Sequence, residues 1–289
     1  MSRAAGAAVA VVALVLAGIG IAAWMGTSSD ADTAAAPAAT TAPPAPPRPL
    51  RIIFPEGFSR AEMAERVGAV REIAIERRGV TPRLTRAGYL AATRAAVPPR
   101  AFRADRRRGT IEGFLFPATY EFTRLTTARR LVADQLAAFR EQWAKVDLRY
   151  ARSKNLTPYD VLIIASMVEK ETAVASERPL VAAVIYNRLR NRMPLGIDAT
   201  IRYGLGIPGT ESLTKRALAT DSPYNTRLRT GLPPTPIANP GLASMRAAAR
   251  PARVPYLYYV RKPGSLAHFF TASETEFLRT VCEYGYACD

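Results

Sequence analysis

Histidine is almost absent from this chain, with one residue, His268, in 289. A single imidazole excludes a multi-histidine metal site, and any Ser-His-Asp triad would have to be built on that residue. Cysteine is nearly as scarce. Cys282 and Cys288 are the two present, too few thiolates for a zinc site but near enough in sequence to close a short disulfide loop in an oxidising compartment. Acidic residues are outnumbered, 24 against 40 lysines and arginines, leaving a formal charge of +16. Such an excess suits a polyanionic neighbour, whether nucleic acid, an anionic membrane face or an anionic cell wall. Arginines at helical positions such as Arg188, Arg190 and Arg192 read as a solvated face. The charge therefore argues for a location more than for an activity.

Charge is missing altogether from Ala4 to Met25, a run rich in Ala, Val, Leu and Ile that is long enough to cross a bilayer as a helix. Arg3 precedes it and no basic residue follows closely, which favours a cytoplasmic N-terminus and an exported body. No small-x-small cleavage site stands beside Trp24 and Met25, so an anchor is the reading in preference to a cleaved signal. Export removes nucleic acid from the expected partners. Residues 27–49, made of Ala, Thr, Ser and Pro with two aspartates, are expected to be a disordered, semi-stiff spacer. The predicted organisation is α+β: a cytoplasmic stub and transmembrane anchor over 1–26, the linker over 27–49, a small α/β module over 50–109, and a catalytic domain over 110–289.

Within the first folded module, Arg51 to Phe54 reads as a strand and Ser59 with Glu62 as a capping box for a helix to about Ile75; a second helix is expected near Arg83 to Ala96. The aromatic stretch Glu112 to Tyr120 reads as strand and turn with core packing. A helix is predicted from about Thr127 to Trp143. The most apolar soluble segment follows: Thr157 as N-cap, Pro158 at the first helical position and Asp160 at the third open a helix whose residues Val161 to Val168 are apolar on nearly every face. That helix ends in Glu169-Lys170-Glu171. Two residues apart is about 200° of helical turn, so the two glutamates face different ways and should have different jobs. Apolar walls and the negative end of the helix dipole both raise a carboxyl pKa there, as a general acid requires. Position alone does not choose between Glu169 and Glu171, and a frayed, solvated last turn is the bland alternative. Ser176 is expected to cap the next helix and Ser244 a later Ala-rich one, while Pro- and Gly-rich loops after Arg192 exclude long regular elements. Pro255 to Val260 reads as a strand leading toward His268-Phe269-Phe270.

Six segments, in order, resemble the endolytic murein transglycosylases of the MltG or YceG-like family: EGFLFPATY at 112–120, ASMVEKETAVASER at 165–178, YNRLRNRMPLGIDATIRYG at 186–204, SPYNT at 222–226, GLPPTPIANPG at 231–241 and PYLYYV at 255–260. The resemblance implies a single-pass membrane enzyme with an extracytoplasmic catalytic domain, cutting nascent peptidoglycan glycan strands to leave 1,6-anhydro-N-acetylmuramyl ends. It implies Glu171 as the catalytic acid, with no cofactor and no metal. It also implies a LysM-like N-terminal module, shortened here to about 60 residues. Asn187 and Asp198 are expected to orient Glu171 or bind sugar hydroxyls, with Tyr224, Asn225 and Thr226 lining the glycan cleft; His268 matches a family position near the site. Structural duties for Asn187, Asp198 and His268 stand beside these. Peptidoglycan synthases are the implied protein partners. Ala118, Ala199 and Phe277 depart from the family pattern without touching Glu171. A hydrolytic muramidase with Asp198 activating water, and a non-catalytic wall scaffold, remain the alternatives.

Overall fold

The computed structural model describes residues 49–102, 105 and 110–286. The expected anchor at 4–25, the linker through Arg48 and Cys288 lie outside the described residues. Among the described residues no helix is long and apolar enough to cross a membrane. The α+β class holds, with helix predominating and two small sheets.

Strand β1 (Leu50–Ile53) leads into helix α1 (Arg60–Arg78). The capping box closes as read: Ser59 Oγ accepts from the Glu62 amide at 3.2 Å, and the Glu62 carboxylate accepts from the Ser59 amide at 2.7 Å. Helix α2 (Arg86–Ala95) follows, starting at Thr85 and thus later than Arg83. The chain then enters the aromatic stretch, whose residues 112–118 stay irregular; only Thr119–Phe122 forms a strand, β2, antiparallel to β1 with Leu50 opposite Phe122. Phe114 and Leu115 are fully buried, Phe114 against Phe139 and Tyr159. Gly113 makes this possible. Its φ is +87°, and a Cβ there would come within 2.7 Å of Pro236. The described residues form one compact unit, and the β1–β2 pairing crosses the boundary drawn at 109/110.

Helix α3 (Ala128–Trp143) is capped by Thr127, and a single turn, α4 (Arg149–Arg152), precedes the central helix α5 (Pro158–Glu171). The sequence marks α5 well: the Thr157 hydroxyl accepts from the Asp160 amide and the Asp160 carboxylate accepts from the Thr157 amide. Every residue from Tyr159 to Val168 is buried, and each large apolar side chain so removed from water contributes about 1.5–3 kcal/mol. Helix α5 lies against α6 (Arg178–Arg190), α7 (Asp198–Leu205) and α9 (Leu242–Ala249). Two caps differ from expectation. Ser176 sits inside a 3-10 turn, Ala175–Glu177, so Glu177 occupies the N-cap position of α6. Gly241 holds that position on α9, while Ser244 is buried in the first turn and accepts from Arg178 Nε at 3.0 Å. Beyond Arg192 the chain is more helical than its prolines suggest, with α7 and α8 (Lys215–Ala219). Residues 220–241 are irregular, as read. Strands β3 (Tyr258–Arg261) and β4 (His268–Thr271) pair antiparallel with Arg261 opposite His268, and α10 (Glu274–Glu283) packs on them. Cys282, in α10, is disulfide-bonded.

Candidate active site

Three consecutive side chains at the end of α5 leave in three directions. Glu169 is 5% exposed and turns toward α9, where its Oε2 accepts from the Gly241 amide at 2.9 Å and its Oε1 lies 3.5 Å from Arg178 Nη2. A carboxylate at a helix N-terminus is held by both the free amides and the dipole. Glu56 joins from the β1–α1 turn, 3.9 Å from Arg178. Burial, followed by the Glu169 charge, raises the pKa of Glu56, while Arg178 works against both. Lys170 is exposed, with Nζ donating to the Gly57 carbonyl at 3.3 Å. Glu171 turns to the β3–β4 sheet instead. Its Oε2 accepts from the Tyr259 hydroxyl at 2.9 Å.

Burial raises the pKa of Glu171, and the nearby charge of Asp198 adds to this; the Tyr259 hydrogen bond and His268 act the other way. Of the two influences expected from the sequence, burial in apolar surroundings is the one that raises Glu171. Because Oε2 is occupied as an acceptor, Oε1 is the oxygen left to carry an acidic proton. Burial, reinforced by the Glu171 charge, pushes the Tyr259 phenol far up, so it stays a donor. Glu171 lines a cleft of about 370 Å³ together with Lys170, Thr172, Arg261, Leu266 and His268.

His268 stands edge-on to the Tyr259 ring, 5.4 Å between centroids at 88°. Glu177 grips it twice: Oε1 accepts from the His268 amide at 2.8 Å and Oε2 pairs with Nδ1 at 2.7 Å. Both side chains are 9% exposed. A carboxylate at Nδ1 fixes the proton on that nitrogen and leaves Nε2 with no partner among the described residues. Glu177 was not anticipated. It lies 91 residues from His268, and the one available signal was a lone histidine in need of a partner.

The other expected site residues divide. Asp198, first residue of α7, is near enough to act on Glu171 and Tyr259 electrostatically, with Oδ1 accepting from Arg227 Nε at 2.7 Å. Asn225 and Thr226 are buried. Asn225 donates to the Leu218 and Thr220 carbonyls at 2.9 Å each, while the Thr226 hydroxyl accepts from the Ile197 amide at 3.0 Å. Thr226 thus holds the turn from which Asp198 projects, while Asn225 ties the end of α8 to its own loop. The Tyr224 hydroxyl is hydrogen-bonded to Thr235 at 2.8 Å and its half-buried ring packs on Tyr203. Asn187 commits both amide hydrogens to the Val254 and Tyr256 carbonyls at 2.9 and 2.8 Å, fixing the approach to β3. Arg188 is a correction to the solvated face: it donates to the carbonyls of Leu257, Pro194 and Leu195 and lies over the Tyr258 ring, and burial lowers its pKa. Strand β3 therefore hangs from α6 by two side chains.

A second buried acid lies elsewhere. Glu112, read as part of a core stretch, accepts from the Arg60 amide at 2.8 and 3.1 Å, from Asn239 Nδ2 at 2.7 Å and from the Tyr203 hydroxyl at 3.3 Å. Burial outweighs these bonds and pushes it up to about 7. It ties the start of α1 to α7 and to the 231–241 loop.

The YceG-like family model matches residues 30–283 of the chain. An endolytic murein transglycosylase of Bacillus subtilis (strain 168) is 34% identical over 177 residues, 61% of this chain and 47% of that protein. One from Streptococcus pneumoniae (strain ATCC BAA-255 / R6) is 35% identical over 183 residues, covering 61% of this chain and 33% of its own length. The chain thus spans from a third to about half of the curated relatives it matches. A YceG-like protein of Listeria monocytogenes, known from its crystal structure, superposes with a TM-score of 0.67 at 28% identity, covering 80% of this chain and 76% of that one.

Proposed function

Since this chain belongs to the YceG-like family, we propose that it is an endolytic murein transglycosylase in which Glu171 is the catalytic acid. One observation carries the assignment of the acid. Of the two glutamates ending α5, Glu169 is engaged by Arg178 and the Gly241 amide, whereas Glu171 opens on a cleft with its pKa raised and one oxygen free. In this reading Oε1 of Glu171 gives its proton to the glycosidic oxygen as the C1–O bond breaks. The C6 hydroxyl of the same muramyl residue forms a new bond to C1, and its proton goes to the Glu171 carboxylate. The acid is restored and no water is consumed. Most glycosidases need a second carboxylate as nucleophile or water activator; intramolecular attack does not. Tyr259 stabilises the carboxylate between the two transfers, and Asn187, Asn225 and Thr226 hold the walls from behind while Tyr224 and Asp198 face the strand.

The setting is part of the same proposal. The uncharged run at 4–25 anchors the chain in the cell membrane, 27–49 is the spacer, 50–109 is a shortened LysM-like module, and the enzyme works outside the membrane beside peptidoglycan synthases. The charge of +16 suits an anionic wall.

The test is mass spectrometry of products from uncrosslinked glycan strands. Wild-type protein should release ends lighter by one water than hydrolysis gives, and Glu171→Gln should lose roughly 10²–10⁴-fold in rate. Hydrated ends would establish a muramidase instead, with Asp198, whose charge already acts on Glu171, as the group activating water. No products from folded wild type would leave a scaffold.

A further inference from the structure

The cleft beside Glu171 holds more positive charge than the proposed proton transfers need. Lys170, at the end of α5, and Arg261, at the end of β3, both line it. Both are exposed and neither makes an ion pair among the described residues; Lys170 has the Gly57 carbonyl alone, and the Arg261 guanidinium has no hydrogen-bond acceptor there. Neighbouring arginines are committed: Arg178 to Glu169 and Ser244, Arg188 to backbone carbonyls, Arg227 to Asp198. Exposure places Lys170 and Arg261 toward the rim of the cleft. Leu266, 58% exposed, supplies an apolar surface on the same wall.

In a peptide-bearing strand the sugars themselves offer hydroxyls and amides but no charge, because each muramyl lactyl carboxyl is held in the amide link to its peptide. Two unpaired cations in a sugar cleft therefore read something attached to the sugar. On a muramyl residue that attachment is the lactyl-linked peptide, which carries free carboxylates. We infer that Lys170 and Arg261 form an anion subsite for a carboxylate of this peptide, with Leu266 against its aliphatic portion. Strands that still bear their peptides are then the preferred substrate over bare glycan. The inference rests on the transglycosylase reading above and adds to it the substrate class.

The experiment compares kcat/KM of the full chain on uncrosslinked peptide-bearing strands and on the same strands stripped by an amidase and then capped as lactyl methylamides, so that no carboxylate remains, for wild type and for the Lys170→Gln/Arg261→Gln double variant. Wild type should favour the peptide-bearing strands by about tenfold, the scale of a charge-assisted contact at a rim, and the double variant should bring the ratio close to one. The preference should shrink as salt is raised. Equal ratios in wild type and variant, or no preference in wild type, overturn the subsite while leaving anhydro ends in the products. Absence of anhydro ends from wild type on both substrates overturns the transglycosylase reading and the subsite with it. Calorimetric titration of Glu171→Gln with a muramyl dipeptide gives a readout free of turnover: the free acid should bind more tightly than its amide, and Arg261→Gln in that background should erase the difference. Equal binding of acid and amide counts against the subsite.

Discussion

At Glu171, opposing influences meet on one carboxyl group. Burial and Asp198 favour the neutral acid; Tyr259 and His268 favour the carboxylate. An acid that must give up a proton and take one back needs both, because either form held too firmly slows one half of the cycle. Tyr259→Phe removes a stabiliser of the carboxylate, so the Glu171 pKa rises further. The alkaline limb of the kcat profile, where the acid loses its proton, should move to higher pH, and kcat at the optimum should fall about two- to tenfold, the worth of one hydrogen bond. A profile that does not move would separate Tyr259 from the acid. At this scale the sequence marked two glutamates at the end of α5 by position, and resemblance pointed to the second. The partners Tyr259 and Glu177 stood 88 and 91 residues from the groups they hold, and local spacing carries no signal over such separations.

The elements were most legible where their determinants are local. The starts of α1 and α5 are set by side chains within three residues, and those caps formed as read; α3 begins where expected, with Thr127 as its cap. Helix α9 was misread at its start because its true N-cap is a glycine, with the first-turn amide at Gly241 satisfied by Glu169 from another helix. A Cβ at Gly241 would meet the Glu56 carboxylate, which would have to swing aside. Helix α7 was missed because Thr226, 29 residues downstream, holds the turn before it. The junction of α5, α6 and α9 gives a prediction at this scale. Arg178 is 15% exposed and faces a Glu169 that is 5% exposed. Arg178→Ala leaves that carboxylate buried without its cation and should cost about 2–4 kcal/mol, read from the urea midpoint. The Arg178→Ala/Glu169→Gln double variant should recover part of the loss.

Across the whole molecule, three carboxyls far apart in sequence shift the same way, while Asp147 is held down by Arg149, and Arg188 is lowered by burial. Glu56, Glu112 and Glu171 are all raised by burial, so each holds its proton more tightly in the folded chain than in the unfolded one. For Glu112 the window is explicit, from the ordinary 4.5 to about 7. Its favourable share is full below 4.5, where both states are protonated, and is lost as pH rises toward 7, by about 3 kcal/mol. Unfolding midpoints should fall over that range, and Glu112→Gln should flatten the fall; an unchanged slope would mean that Glu112 stays ionised in the fold. The α+β class was legible from patterning, but the joining of residues 50–102 to the rest was not, since it depends on contacts such as Arg60 to Glu112 and Phe58 to Asn239, separated by 52 and 181 residues. The lone imidazole has a practical consequence at the same scale. Because His268 is the sole histidine and lies against both Tyr259 and Glu177, feeding cells isotopically labelled histidine yields a protein with a single pair of ring-nitrogen resonances. That gives the cleft a native spectroscopic beacon, able to follow occupancy and proton movement without any engineered tag.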